Sequence, residues 1–266
     1  MNKKIFSITM LALVFMLAIA CSPAGSSDDP AAPYYPTYTA IAQGLIDLAN
    51  TATVQAAMPV LTPMPAGGTE NVKREDGSAK YTDYDAGFEI VIPAGWIAVR
   101  PGNQEFEDTL ANEGSQNQGL LEQMQADKES QEAGSDRLFM YVVKPDIVDY
   151  PLQGFGKIAW DNNDTKPLDN AALQELTQSL PSAIPGLRIV SSSITTNSND
   201  VTVLVLGGKF TIDDATGQPV TFYMNVIFFK PDENSTVRLT TTYLDAYRDI
   251  LDKDFSSSVE SMVVFK

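Results

Sequence analysis

Residues 201–243 constrain the fold more than any other part of the chain, because they read as three consecutive strands. Val201–Ile212 is followed by the turn-forming cluster Asp213-Asp214-Ala215-Thr216-Gly217, and Val220–Phe229 by Pro231-Asp232-Glu233-Asn234-Ser235. Thr236–Tyr243 is the third strand. In the middle strand Val220, Phe222, Met224, Val226 and Phe228 share one face by the period of two, and all are apolar. Thr221, Tyr223 and Asn225 make the other face mixed. A strand apolar on one side needs something laid across it, so this meander is expected at the centre of a sheet with a helix packed on it.

The rest of the folded region supplies candidate elements. Gly87–Val99 (GFEIVIPAGWIAV) reads as two apolar strands in a tight hairpin around Pro93-Ala94-Gly95, with Trp96 opening the second strand as a core residue. In Asn103–Glu132, Phe106, Leu110, Leu121 and Met124 fit one helical face, weakened by Gly114 and Gly119 into two pieces. Arg137–Lys144 reads as a strand closed by Pro145. Asp169 caps a helix through Leu180 that Pro181 ends, and Leu187–Thr195 is the next strand. After the meander, Tyr247, Ile250, Leu251, Phe255, Val259 and Met262 recur at helical spacing. That closing helix is expected to cover the apolar sheet face, with a short extended tail after it.

Tyr150–Asn170 reads as irregular. Its aromatics Tyr150, Phe155 and Trp160, set among glycines, are the candidate binding residues of a loop. The alternative is that Phe155, Ile158 and Trp160 plug the domain from its edge. A calcium loop from Asp161, Asn163 and Thr165 fails, because Lys166 stands at the glycine position and Ala172 at that of the bidentate glutamate.

Charge and composition exclude several chemistries. The chain of 266 residues carries a formal net charge of −16, and loss of Lys3 and Lys4 with a leader would deepen it by two. Such a surface repels phosphate backbones, so no nucleic-acid partner is expected. There is no histidine, which removes the commonest general base and metal ligand. A single cysteine leaves no intramolecular disulfide and no thiolate metal cluster. No G-x-S-x-G, S-x-x-K or phosphate-loop motif occurs, and Gly207-Gly208-Lys209 sits inside a strand, as a bulge or a close backbone contact. Nothing selects a hydrolytic pair from the 34 carboxylates, so a carboxylate hydrolase is the least favoured reading. No metal, cofactor or catalytic residue is assigned.

The N-terminus fixes the expected location. Met1–Lys4 is basic and Ile5–Ala20 almost wholly apolar, too short for the roughly 20 residues of a spanning helix. Residues 1–20 therefore read as an export signal. The run ends Ala18-Ile19-Ala20-Cys21, which resembles the lipobox of bacterial lipoproteins, with Ala18 where leucine is commonest. The resemblance implies that Cys21 carries a diacylglycerol and tethers the chain on the extracytoplasmic side of an envelope membrane. Ala18-Ile19-Ala20 also satisfies an ordinary signal peptidase, which would leave Cys21 a free thiol. Residues 21–80, with Pro23, Pro30, Pro33, Pro36, Pro59, Pro63 and Pro65, read as a tether. It is interrupted by Thr39–Met58, a weakly amphipathic helical stretch. As a flexible coil such a tether spans on the order of 40 Å.

The folded domain is expected over residues 81–266. The GFEIVIPAGW string, the polar helix after it, the long meander and the closing helix together resemble the PsbP-like superfamily, which includes DcrB-type envelope lipoproteins. That resemblance implies an α+β fold, an α/β/α sandwich around a mainly antiparallel sheet. It implies a binding or assembly role rather than an enzyme, and brings no active-site motif. The leading expectation is thus a lipid-anchored envelope protein that binds a protein partner or assists assembly of a membrane complex. The alternative is a solute- or ion-binding lipoprotein with a pocket between sheet and helices.

Overall fold

The computed structural model describes residues 68–132, 134–144, 152–213 and 217–265. The leader, Cys21, the Thr39–Met58 stretch and Tyr150 lie outside these residues.

The three meander strands are present as β8 (Thr202–Asp213), β9 (Pro219–Phe229) and β10 (Thr236–Leu244). They join β4 (Trp96–Val99), β5 (Asp136–Val142), β6 (Gly154–Asp161) and β7 (Arg188–Thr196) in a seven-stranded sheet of order β4-β5-β6-β10-β9-β8-β7. Every pair in it is antiparallel. A second sheet, of order β1-β2-β3-β11, is formed by β1 (Thr69–Lys73), β2 (Ala79–Asp83), β3 (Phe88–Ile92) and β11 (Val263–Val264). The helices are α1 (Gln104–Asn112), α2 (Gln118–Ser130), α3 (Asn170–Ala183) and α4 (Arg248–Ser261).

Both faces of the large sheet are buried, and this reassigns the closing helix. The face bearing Phe222, Met224 and Val226 packs on Phe106 of α1, Leu120 and Met124 of α2, and Leu180 of α3 with Ile184 beyond it. The opposite face carries Tyr223, Ile227 and Phe229 and packs on Leu251, Phe255 and Val259 of α4 and on Tyr81, Phe88 and Ile90 of the small sheet. So α4 covers the face that reads as mixed, not the uniformly apolar one. The result is an α+β sandwich around an antiparallel sheet, with three helices on one side and a helix plus a small sheet on the other.

A strand apolar on both faces loses the usual safeguard against register slip, since a one-residue shift exposes no new apolar side chain. Here one cross-sheet row supplies the constraint. Gly207, Asn225, Thr241 and Gly156 lie opposite one another across β8, β9, β10 and β6. A Cβ on Gly156 would stand 2.3 Å from the Thr240 carbonyl oxygen, and one on Gly207 2.3 Å from the Tyr223 hydroxyl. At Gly156 the obstacle is backbone and cannot move aside, whereas at Gly207 it is the ends of the Tyr223 and Ser191 side chains, not the close backbone contact expected there. The bulge lies on the neighbouring strand, between Ile189 and Ser191.

Four further expectations change. Gly87–Val99 is not a hairpin, for β3 pairs with β2 and β11 while β4 pairs with β5. Gly95, at φ 81°, turns the chain from one sheet into the other. The supposedly irregular Tyr150–Asn170 contains β6, an interior strand. Folded structure reaches back to Thr69, so 69–80 form β1 and most of the approach to β3 rather than tether. Finally, Pro181 lies inside α3, which ends at Ala183 with the Ile184 N–H donating to the Leu180 carbonyl at 3.0 Å. Asp169 caps that helix as expected, accepting from the N–H groups of Ala171 and Ala172.

Candidate functional site

The outward face of the small sheet carries an aromatic pair built from opposite ends of the domain. At the end of β2 the Asp83 carboxylate accepts N–H bonds from Asp85 at 3.1 Å and Ala86 at 2.9 Å, which sets a tight turn. The turn projects Tyr84 outward, and its hydroxyl donates to Glu70 of β1 at 2.9 Å. That bond and the carboxylate charge raise the phenol's pKa, so it remains a neutral donor. From the other end of the chain, the Phe265 N–H donates to the Gly87 carbonyl at 2.8 Å. The two rings stack with centroids 6.5 Å apart and planes 24° from parallel. Tyr84 is 61% and Phe265 38% exposed. Val72, also exposed, shares this face by the β1–β2 register, as does Lys80, which pairs with Glu89 at 2.6 Å.

Three polar centres inside the domain are engaged structurally. Arg137 reaches from β5 to the fully buried Asp83, with Nε 3.0 Å from the carboxylate, and its guanidinium lies 4.5 Å from the centroid of the Trp160 ring. This ion pair ties the two sheets together. Beneath α4, the Tyr243 hydroxyl donates to Asp252 and accepts from Asn225 at 2.7 Å. Arg248 grips the same carboxylate at 3.0 Å and stacks 4.0 Å over Tyr223. Burial, the bond to Asp252 and that carboxylate's charge drive the Tyr243 pKa far up, so it acts as a donor and not as a base.

The third centre lies beneath α2. Asp127 is buried and accepts from the Tyr141 hydroxyl at 2.7 Å and the Gln123 amide at 3.1 Å. Desolvation pushes its carboxyl up to about 7, against the pull of those two bonds and of Lys157. Lys157 itself pairs with the buried Asp136 at 3.0 Å, and Asp136 also accepts the Glu132 N–H. Each buried carboxylate is thus held by a partner from the fold. Among the described residues no group of three or more acidic or cysteine side chains is arranged to hold a metal ion.

The candidate binding residues from the sequence do not form one loop. Phe155 and Trp160 both stand on β6, five positions apart, and the period of two sends them to opposite faces. Phe155 is buried in the helix-side core beside Tyr141 and Thr242. Trp160 packs against the other core beneath Arg137. Both occupy core positions of an interior strand, not the edge from which the alternative reading had them plug the domain. Sequence reasoning did not single out Tyr84 and Phe265. The signal available for Tyr84 was its parity with Lys80 and Thr82 after a short strand; for Phe265 it was an aromatic in the extended tail.

No family model and no curated protein sequence matches this chain. Solved structures do. The chain is similar to the cyanobacterial PsbP protein CyanoP of Synechocystis sp. PCC 6803, with a TM-score of 0.43 and 9% identity over 80% of this chain and 99% of that one. It is similar to LpqN of Mycobacterium tuberculosis, described as involved in cell envelope biogenesis, at TM-score 0.41 and 12% identity over 74% and 91%. The Ran-binding protein Mog1p of Saccharomyces cerevisiae gives 0.41 and 9% over 74% and 95%.

Proposed function

We propose that this protein is a non-enzymatic binding module of the bacterial cell envelope, held to a membrane by a lipid on Cys21. Its partner is a protein, docked on the outward face of the small sheet. The observation that carries the reading is the exposed Tyr84–Phe265 stack, because large aromatic side chains grouped at the surface are a common anchor for protein contacts. Its position adds support. The Tyr84 N–H donates to the Gly68 carbonyl at 2.7 Å, so the patch lies where the chain arriving from Cys21 enters the domain. A tether ending beside the docking face raises the local concentration of that face near other membrane proteins.

The test is site-specific photocrosslinking in intact cells. A crosslinking side chain at Tyr84 should capture one defined protein, and the same group at exposed Glu175 on α3 should not. Phe265→Ser should then weaken the capture while leaving the melting temperature unchanged. Equal capture from both positions would count against the surface.

A further inference from the structure

The large sheet ends in two edges of different character. At one edge β4 is four residues long, too short to template another strand. At the other, β7 runs nine residues and, among the described residues, pairs with β8 alone. Edge strands are normally blunted by charge, by proline or by brevity. Arg188 at the start of β7 is its sole charged residue, and it contains no proline. The bulge at Val190, 50% exposed, interrupts only the beginning. From Ser191 to Thr196 the ladder to β8 is regular, and every second residue turns its N–H and C=O away from β8, to a side where no described residue pairs with them.

We propose that this edge is an interface between two copies of the chain, joined β7 to β7 about a two-fold axis into one continuous antiparallel sheet. The argument is self-complementarity. A two-fold axis perpendicular to the sheet keeps opposite residues on the same face, so paired positions must have the same parity. With Ser193 opposite its own copy, Ser192 meets Ile194 and Ser191 meets Thr195. No charge opposes a like charge, and small hydroxyl and β-branched side chains face one another, a combination that supports cross-strand pairing. Arg188 falls outside the paired segment. In this arrangement the α3 helices of both copies lie on the same face of the joined sheet, beside the seam. Confinement to a membrane surface favours such an association, but the interface does not depend on it, nor on the docking face around Tyr84.

The experiment uses the full-length protein in its membrane. Ser193→Cys should form a disulfide-linked dimer under mild oxidation, since directly opposed residues of antiparallel strands lie at the Cα separation a disulfide needs. Ser179→Cys, exposed on α3, is the control, with Cys21 common to both. Ser193→Lys, which sets two ammonium groups opposite each other, should convert detergent-extracted dimer to monomer by light scattering, with an unchanged circular dichroism spectrum. Crosslinking no faster than the Ser179→Cys control overturns the proposal. So does a mixed disulfide with a different protein, or a wild-type chain that is monomeric at the crosslinking concentration. None of these outcomes bears on capture at Tyr84.

Discussion

The Tyr141 hydroxyl donates to the Asp127 carboxylate at 2.7 Å across the interface between α2 and β5. This is a polar clamp inside an otherwise apolar contact made by Leu120 and Met124 against Phe139. Its strength depends on protonation. The facing groups are Gln123 on α2, Tyr141 and Asp136 on β5, and Lys157 on β6. The Asp127 carboxyl titrates at about 7 in the fold against 3.8 in the free residue, so the folded state holds a proton that the unfolded chain releases. Stability contributed by this site is full below about pH 4, falls as pH rises, and is lost above about pH 7.

Asp127→Asn should therefore be more stable than wild type at pH 8, by on the order of a few kcal/mol, and nearly equal to it at pH 4. Urea denaturation at both pH values measures this. A variant destabilised equally at both would mean that the carboxylate form is the one the fold prefers.

Removing the guanidinium from the Arg137–Asp83 pair should be costly. Asp83 is fully buried, and burial already raises its carboxyl pKa against the pull of Arg137 and the turn's N–H groups. Arg137→Met leaves that carboxylate without its counter-charge and should cost about 3–5 kcal/mol. Adding Asp83→Asn should recover part of the loss. Additive effects in the double variant, by chemical denaturation, would show the pair to be uncoupled.

The two ends of the register-fixing row should differ in tolerance. Gly156→Ala drives a methyl into the Thr240 backbone carbonyl, which cannot rotate away, whereas Gly207→Ala meets the side-chain ends of Tyr223 and Ser191. Overpacking of this kind costs about 1–3 kcal/mol. Gly156→Ala should sit at or above the top of that range and Gly207→Ala nearer its bottom. The midpoints of thermal unfolding rank them, and the reverse order would remove the row from the account of register.

Much of the fold was legible because periodicity speaks directly about alternation. The meander, the strand Asp136–Val142, the Asp169 cap and the closing helix all lie where their patterns put them. What failed was inference about what packs on what. Tyr223 and Asn225 made one face of β9 look mixed, yet beneath α4 the Asn225 amide donates to the Tyr243 hydroxyl and Arg248 donates to that of Tyr223, so the face is buried after all. The turn at Gly95 looked local because a tight turn between apolar runs usually closes a hairpin; nothing in its residues reveals that the partners lie in different sheets. β6 was obscured by Gly154 and Gly156, which resemble loop glycines but lie against the backbone of β10. The Tyr84–Phe265 pair joins residues 181 positions apart, a separation invisible to any window along the chain.

The claim on which the functional account rests is covalent attachment at Cys21. Mass spectrometry of the N-terminal peptide from protein purified out of native membranes measures it directly. The account predicts a chain beginning at Cys21, its sulfur bearing a diacylglycerol and the protein requiring detergent for release. An unmodified thiol on a chain freed into the medium without detergent would contradict it.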